Sequence, residues 1–462
     1  MCASHLRRHV VRLACLGTML LTPSALLAQE QPPDVRDIAS ALADERARIA
    51  ELKAELDRRS AVLADLTRRL ESLSPPQPAP TTANPAPSQP VAAPPTPPRF
   101  EFYGESKVRF ETLRQDFPDC VGCPDRKRGR LRLRFGAEGR LAPDFKAVIG
   151  LGIGEINDPN TVYVNLGNNF SRKVATWDRG YVEYRPARAR WMDLTAGKFP
   201  YTWLRSSMTF DVDFYPEGLS ERFSFDLHSA RLKNVGVQGF QLIANEQPLD
   251  RHMTIVGTQF TARVQPTSRV STLIAVTGVG IQHPEFLLRA LLDGSDVGVR
   301  NTNAFISNNG LANFAGGFGY ANVIVENAVR TQWEALPVTV GVEYQRNVRA
   351  ASDRDTGVSL RLDAGRAQKQ GDWEFGWHLF RVEQDAILAG LGESDWRAPS
   401  NVLQHRVAIN RMMHPNVQLS FTLYRGRTLD RSLPGALLAP NLPSTLRDPW
   451  TNRVYLDVTY RY

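Results

Sequence analysis

The chain has 462 residues, a formal net charge of +8 and a mean hydropathy of −0.31. Beyond the N-terminus it contains no run of 18 or more apolar residues, which excludes a protein that spans a membrane with helices. Strands that span a membrane are only half apolar and escape this test.

The first residues have the pattern of a signal peptide. Arg7, Arg8 and Arg12 precede the apolar stretch LACLGTMLLTPSALLA, which ends at a suitable cleavage site after Ala28. The alternative is a buried helix. We predict that residues 1–28 are a signal peptide and that the mature protein is exported, so nucleic acid is not expected as a partner.

Residues 36–73 repeat apolar side chains with alternating spacings of four and three. The seam is interrupted only by Glu45 and Arg59 and consists of Ile38, Leu42, Ile49, Leu52, Leu56, Leu63, Leu66, Leu70 and Leu73. Two apolar positions in seven are typical of a coiled coil. We predict an α-helical coiled coil that oligomerises as a dimer or a trimer; a solitary amphipathic helix is the alternative.

A proline-rich linker follows at residues 74–99. Positions 75–98 hold eleven prolines in 24 residues and no charged side chain. Such a segment is extended, cannot pack a core and separates the bodies on either side of it.

From residue 100 to the end of the chain, apolar and polar residues alternate. The last stretch, VYLDVTYRY, places Val454, Leu456, Val458 and Tyr460 on one face, which is the period of a β-strand. Sixteen segments are predicted as strands: 100–112, 129–142, 144–154, 175–186, 190–199, 221–229, 234–244, 251–264, 268–280, 318–331, 337–348, 356–367, 372–384, 402–413, 417–427 and 450–462.

The connections between these segments alternate between short and long. Tight turns such as those near 143 and 415 contrast with long connections such as 155–174, 281–317 and 428–449. Transmembrane barrels separate short periplasmic turns from long outer loops, whereas a soluble sandwich has no reason to do so. We predict an all-β transmembrane barrel, residues 100–462, in which the last strand pairs with the first. An exported soluble all-β binding module is the competing class.

The architecture resembles a known group of proteins. An N-terminal coiled coil, a proline-rich spacer and a barrel that ends on an aromatic residue resemble the "putative porin" families of Gram-negative outer membranes, related in architecture to the phosphate-selective porins O and P. LTAGKF at 194–199 and TFDVDFYPEGLSERF at 209–223 look like their strand and inward-loop pattern. The resemblance implies a trimeric passive channel in the outer membrane, with the coiled coil in the periplasm. It also implies that the barrel assembly machinery reads the terminal aromatic residue.

Arginines line one face of a predicted strand. Arg130, Arg132 and Arg134 alternate with apolar residues, and Lys107 and Arg109 lie on the polar face of the first strand. An arginine that faced lipid at mid-depth would cost about 2–4 kcal/mol, so these side chains must face the lumen. There they either favour anions or pair crosswise with acids and select weakly.

The segment SSMTFDVDFYPEGLSER joins the fifth and sixth predicted strands. Asp211, Asp213, Glu217 and Glu221 could oppose the arginines if this loop folds into the pore. They could instead hold Ca²⁺, which takes several carboxylates, or belong to an ordinary acidic outer loop.

Cys120 and Cys123 are the only cysteines beyond the signal peptide, and export makes a disulfide between them the default expectation. No GxSxG, HExxH or phosphate-binding glycine loop is present, so we predict neither an enzyme nor a cofactor. The predicted function is passive diffusion of small hydrophilic solutes with a mild anion preference. The alternative within the membrane is a non-conducting tether that reaches peptidoglycan.

Overall fold

The computed structural model describes Lys53, Arg58, Asp65 and residues 100–116, 125–154, 162–167, 169–246, 251–292, 301–308, 311–433 and 450–462. The chain forms two compact units, Met1–Pro94 and Pro95–Tyr462. In the first unit the three described residues are helical. The signal peptide, the pairing of the coiled coil, the linker and the two cysteines lie outside the described residues and stay predictions.

The second unit is a closed barrel of sixteen antiparallel strands, as the alternation predicted. In the described part of the chain they are β1 (Phe100–Asp116), β2 (Arg126–Ala142), β3 (Phe145–Ile153), β4 (Ala175–Tyr184), β5 (Met192–Lys198), β6 (Glu217–Asp226), β7 (Leu232–Asn245), β8 (Met253–Thr267), β9 (Val270–Gln282), β10 (Phe318–Val329), β11 (Val338–Asn347), β12 (Thr356–Gly365), β13 (Trp373–Val382), β14 (Val402–His414), β15 (Val417–Thr428) and β16 (Trp450–Arg461).

Each strand pairs with its neighbour in sequence, and β16 pairs with β1 from Glu105↔Arg461 to Asp116↔Trp450. The terminal residue completes this seam, since the Gly104 amide donates to the Tyr462 carbonyl at 2.8 Å. Closure satisfies the backbone groups that a free edge would expose.

The two faces of the strands have opposite chemistry. On β16, Leu456 and Val458 are 48% and 50% exposed, whereas Asp457 and Thr459 are 4% and 2% exposed. On β16 the apolar side chains therefore point out of the barrel and the polar ones into it. This is the arrangement of a barrel with lipid outside.

Shorter elements lie in the connections at the long-loop end. They are the helix α1 (Glu285–Leu292), the 3-10 turn Ala389–Leu391 and the short strands Val164–Asn165, Phe305–Asn308 and Leu311–Phe314. Val164–Asn165 pairs with β2 beside Arg130, so the connection that carries it folds back onto the barrel. Among the described residues, no helix has the length and apolar character needed to cross a membrane.

The hydrophobic core lies inside the barrel. Phe240, Ile255 and Phe318 lie on strands of the barrel and are at most 3% exposed. They pack with Trp203 and Ile387, which come from the two connections 199–216 and 383–401. We call these connections the first and second inward loops. They bring apolar side chains into the lumen against β7–β10, β13 and β14, whose inner faces are apolar toward the long-loop end.

Candidate functional site: an arginine wall and two inward loops

The predicted basic residues meet on the inner face of β1 and β2, and we call this surface the arginine wall. In the antiparallel register Arg130 lies opposite Arg109, Arg132 opposite Lys107 and Arg134 opposite Glu105. Arg109 and Arg130 are each 7% exposed, whereas Phe135 on the other face is 46% exposed. The strand period alone is enough to place these five side chains in the lumen.

Acids on the neighbouring strands pair with the wall. The Arg109 Nε donates to Asp457 Oδ1 at 2.8 Å, and Arg132 pairs with Glu105. Arg134 Nε lies 3.0 Å from Asp178 Oδ2. The wall is therefore a row of ion pairs in a nearly dry environment, where removal of one partner would leave an uncompensated charge.

Glu111 is a wall residue that our sequence analysis did not single out. It is fully buried, and its carboxylate lies 2.7 Å from Arg128, 3.3 Å from Arg130 and 3.9 Å from Arg453. Glu111 is two residues after Arg109 on β1 and therefore shares its inner face, so the alternation along the strand could have identified Glu111 as a residue of the lumen.

Tyr163 covers the wall from the connection between β3 and β4. The guanidinium carbons of Arg109, Arg130 and Arg132 lie 4.3, 4.8 and 5.1 Å from the centre of its ring. Such stacking attracts a cation and shields it from water. The ring therefore limits the access of solutes to this part of the wall.

The first inward loop brings an acid to the wall. Asp213 Oδ1 lies 3.5 Å from Arg132 and 3.9 Å from Arg134. The loop is fixed at Leu204, whose backbone N–H donates to Gln259 Oε1 at 2.9 Å while its carbonyl accepts from Gln259 Nε2 at 2.8 Å. Trp203 stacks on Phe240 with ring centres 3.9 Å apart.

The four predicted loop acids occupy three different environments. Asp213 faces the wall and Asp211 is fully buried. Glu217 lies in β6 and not in the predicted loop, because the strand begins four residues before its predicted start at residue 221. Glu221 also lies in β6. The pairing of β5 with β6 extends to Glu217, which lies opposite Lys198. The Lys198 Nζ donates to Glu217 Oε1 at 2.7 Å. These two acids do not contact the arginine wall.

The second inward loop was not predicted. Asn303 holds it through its Nδ2, which donates to the carbonyls of Gln384 and Ile387 at 2.7 Å each. Its Asp395 lies 3.6 Å from both Arg109 and Arg453 and accepts from the Tyr455 hydroxyl at 2.6 Å. The apolar stretch AILAGLG at 386–392 was the available signal, because such a run is unusual in an exposed loop.

The two loops meet at Asp211. Its Oδ2 accepts from the Ser394 amide at 2.8 Å, and the Asp211 amide donates to the Leu391 carbonyl at 2.8 Å. Burial and the charge of Asp213 raise the pKa of Asp211 to about 7. Burial and Asp211 also raise the pKa of Glu393. Burial opposes ionisation of Asp395 as well, but Arg109 and Arg453 outweigh it and lower the pKa of Asp395.

Open space remains beside the loops. A cavity of about 450 Å³ is lined by Tyr201, Arg205, Glu343, Arg361 and His378, among others. A second cavity of about 250 Å³ also touches Tyr201 and reaches Arg185 and Asp193. Tyr201 lines both cavities, so open space in the lumen remains beside the first inward loop.

Part of the chain matches a known protein family. Residues 105–259 match a family described as "Putative porin". Over this stretch the chain resembles the putative porins. The matched residues run from β1 into β8 and include the arginine wall and the first inward loop. No curated protein matches the chain.

Two of the similar solved structures are bacterial porins. OmpF of Salmonella typhi in complex with daunomycin has a TM-score of 0.44 at 9% identity, and the match covers 79% of this chain and 97% of that one. A mutant of the Rh. blastica porin has a TM-score of 0.39 at 9% identity, with 79% of this chain and 100% of that chain covered.

Proposed function

We propose that the protein is an outer-membrane porin, a passive diffusion channel for small hydrophilic solutes with a mild preference for anions. The observation that carries the proposal is the closed barrel, apolar outside and charged inside. A membrane-spanning barrel of sixteen strands is wide enough to leave an aqueous path. The resemblance of residues 105–259 to putative porins supports the same function.

The proposed anion preference rests on the charge balance of the arginine wall taken together with Arg453 of β16, which lies 3.9 Å from Glu111. In the described part of the chain, its cations are Lys107, Arg109, Arg128, Arg130, Arg132, Arg134 and Arg453, and the acids that pair with them are Glu105, Glu111, Asp178, Asp213, Asp395 and Asp457. The cations are in slight excess. A small positive field lowers the barrier for anions, and salt screens it over about 8 Å at physiological ionic strength.

The signal peptide, the disulfide between Cys120 and Cys123 and the use of the barrel assembly machinery belong to the same proposal. So does assembly as a homotrimer through the coiled coil, which is placed in the periplasm. No enzymatic activity is proposed.

A non-conducting tether to the cell wall is the second candidate. The observation that favours it is the filling of the lumen by the two inward loops, whose residues Met208, Asp211 and Ile387 are completely buried. A barrel filled in this way could serve as an anchor in the membrane without passing solutes.

One experiment separates the two candidates. The full-length protein is inserted into a planar bilayer, and the reversal potential is measured under a salt gradient for the wild type and for Arg130→Gln/Arg132→Gln/Arg134→Gln. A channel gives discrete conductance steps, and the triple variant shifts the reversal potential toward cations. Equal reversal potentials would leave the wall without a role in selectivity, and a protein without conductance would be a tether.

A further inference from the structure

A basic patch lies on the outside of the barrel, at the rim that adjoins the long connections. On β15 the outward positions run Val417, Leu419, Phe421 and Leu423, and then change to Arg425 and Arg427. Both arginines are exposed. Charge on the lipid face costs little near the interface and much at mid-depth, so this change marks the level where the headgroups begin.

The arginines of the patch are held in place by neighbouring side chains. Arg425 Nη1 donates to Asn452 Oδ1 at 2.8 Å. The guanidinium carbons of Arg425 and Arg427 lie 4.6 and 5.6 Å from the centre of the Trp450 ring. Side chains that are already ordered lose less entropy when they bind a ligand.

The patch continues across the seam of the barrel. Arg114 of β1 lies opposite Asn452, and Lys127 of β2 lies opposite Thr112. Neighbouring strands are about 4.8 Å apart, so Lys127 lies roughly 14 Å from Arg425 around the barrel. In the backbone register, Asp116 lies opposite Trp450.

Two other outward arginines at this rim are neutralised. Arg346 pairs with Asp355 at 2.9 Å and Arg381 pairs with Glu383 at 2.9 Å. By contrast, no carboxylate of the described residues pairs with Arg425, Arg427 or Lys127. Within the described residues, positive charge that no carboxylate neutralises therefore lies on β15 and β2.

We propose that Arg425, Arg427 and Lys127 bind the phosphate groups of lipid headgroups in the leaflet next to the long connections. Guanidinium groups form bidentate bonds with phosphate. The apolar residues below the arginines, from Val417 to Leu423, contact the acyl chains of the same lipid. Trp450 lies at the boundary between the two regions, where aromatic residues are enriched.

The test is native mass spectrometry of the full-length protein in mild detergent, titrated with diphosphoryl lipid A, its monophosphoryl form and inorganic phosphate. We expect the diphosphoryl lipid to bind most tightly and inorganic phosphate not to compete at equal concentration. Because each basic residue near a lipid surface contributes about 1 kcal/mol, Arg425→Gln/Arg427→Gln should weaken binding of the lipid at least about tenfold.

The matched control is Arg346→Gln/Arg381→Gln, which removes two arginines from the same rim and should leave lipid binding unchanged. Lys127→Gln is a milder variant for use if the double variant does not fold, which its heat-modifiable mobility on gels would reveal. Equal losses in test and control variants would overturn the proposal, as would displacement of the lipid by inorganic phosphate. A change of oligomeric state without a change in lipid binding would instead assign the patch to contacts between protomers.

Discussion

At the scale of single residues, the positive charge that each arginine of the wall presents depends on the acids that pair with it. Arg132 is shared between Glu105 and Asp213, and Arg134 between Asp178 and Asp213. Desolvated cations remain stable only when such partners are close. The wall therefore presents less free positive charge than its sequence suggests, which fits a mild selector better than a strong one.

Asp213 is the loop acid that most directly limits the charge of the wall. The variant Asp213→Asn should increase anion preference, because Arg132 and Arg134 lose a shared negative partner while each keeps an acid on a strand. The measurement is the reversal potential in a salt gradient. Glu217→Gln is the control, since Glu217 pairs with Lys198 away from the wall. A shift of equal size in both variants would contradict a specific role for Asp213.

Asp211 makes the contact between the loops depend on pH. Its pKa of about 7 is above the value of about 3.9 expected in an unfolded chain. An acid whose pKa is raised by folding stabilises the fold fully below pH 4, and this contribution is lost as the pH rises through 7. The inward loops should therefore be held more tightly at pH 5 than at pH 8.5.

Limited trypsin digestion across this pH range would test the prediction, because Arg205 and Arg397 lie in the two loops. Digestion rates are normalised to a denatured sample to remove the pH dependence of the protease. The wild type should be cut faster as the pH rises from 5 to 8.5, and Asp211→Asn should show a flatter response. The same slope in both proteins would exclude Asp211 as the titrating group.

At the scale of elements, the two inward loops differ in how well their sequences reveal them. The first loop carries acids that could oppose the arginine row of β2, and an inward fold was therefore one of the alternatives predicted for it. The second loop is held by Asn303 and by Asp395, whose partners lie far away in sequence. Contacts at that separation leave no local pattern. Only the apolar stretch at 386–392 indicates that this loop is buried.

The first inward loop should also be held by its aromatic contacts. Trp203 is 5% exposed and stacks on Phe240. Replacement of a buried aromatic residue by alanine costs about 3–5 kcal/mol, and here the loss falls on the loop because the strands keep their hydrogen bonds. Trp203→Ala should therefore raise single-channel conductance or its fluctuation without unfolding the barrel.

Trp177→Ala is the control for this variant, since Trp177 is 66% exposed on the outside of β4. Single-channel recordings of both variants, with heat-modifiable mobility to verify folding, provide the comparison. Unchanged conductance in Trp203→Ala would mean that the stacking on Phe240 does not hold the loop in place.

At the scale of the whole molecule, the sequence predicted the barrel more completely than its contents. Alternation along each strand is a local pattern, so sixteen strands and the inner position of Arg130 and Arg132 followed from it. The apolar interior did not follow, although β9 has apolar residues on both faces, with Ala275 and Ile281 inside and Val276 outside. Apolar side chains on the inner face must be shielded from water, and this signal indicated that the lumen is filled.

The last prediction concerns assembly. Residues 36–73 carry the predicted coiled-coil seam, and Lys53, Arg58 and Asp65 in this segment are helical. The barrel closes on itself through β1 and β16 and satisfies its own strand edges. Deletion of residues 30–74 should therefore leave a heat-modifiable barrel that conducts but forms fewer trimers, as measured by native mass in mild detergent.

A second variant, in which the heptad leucines Leu52, Leu56, Leu63 and Leu66 become alanine, should have the same effect, because alanine keeps the helix but removes the seam. Full-length protein that is monomeric in mild detergent, or trimers that persist in both variants, would show that the heptads do not drive assembly.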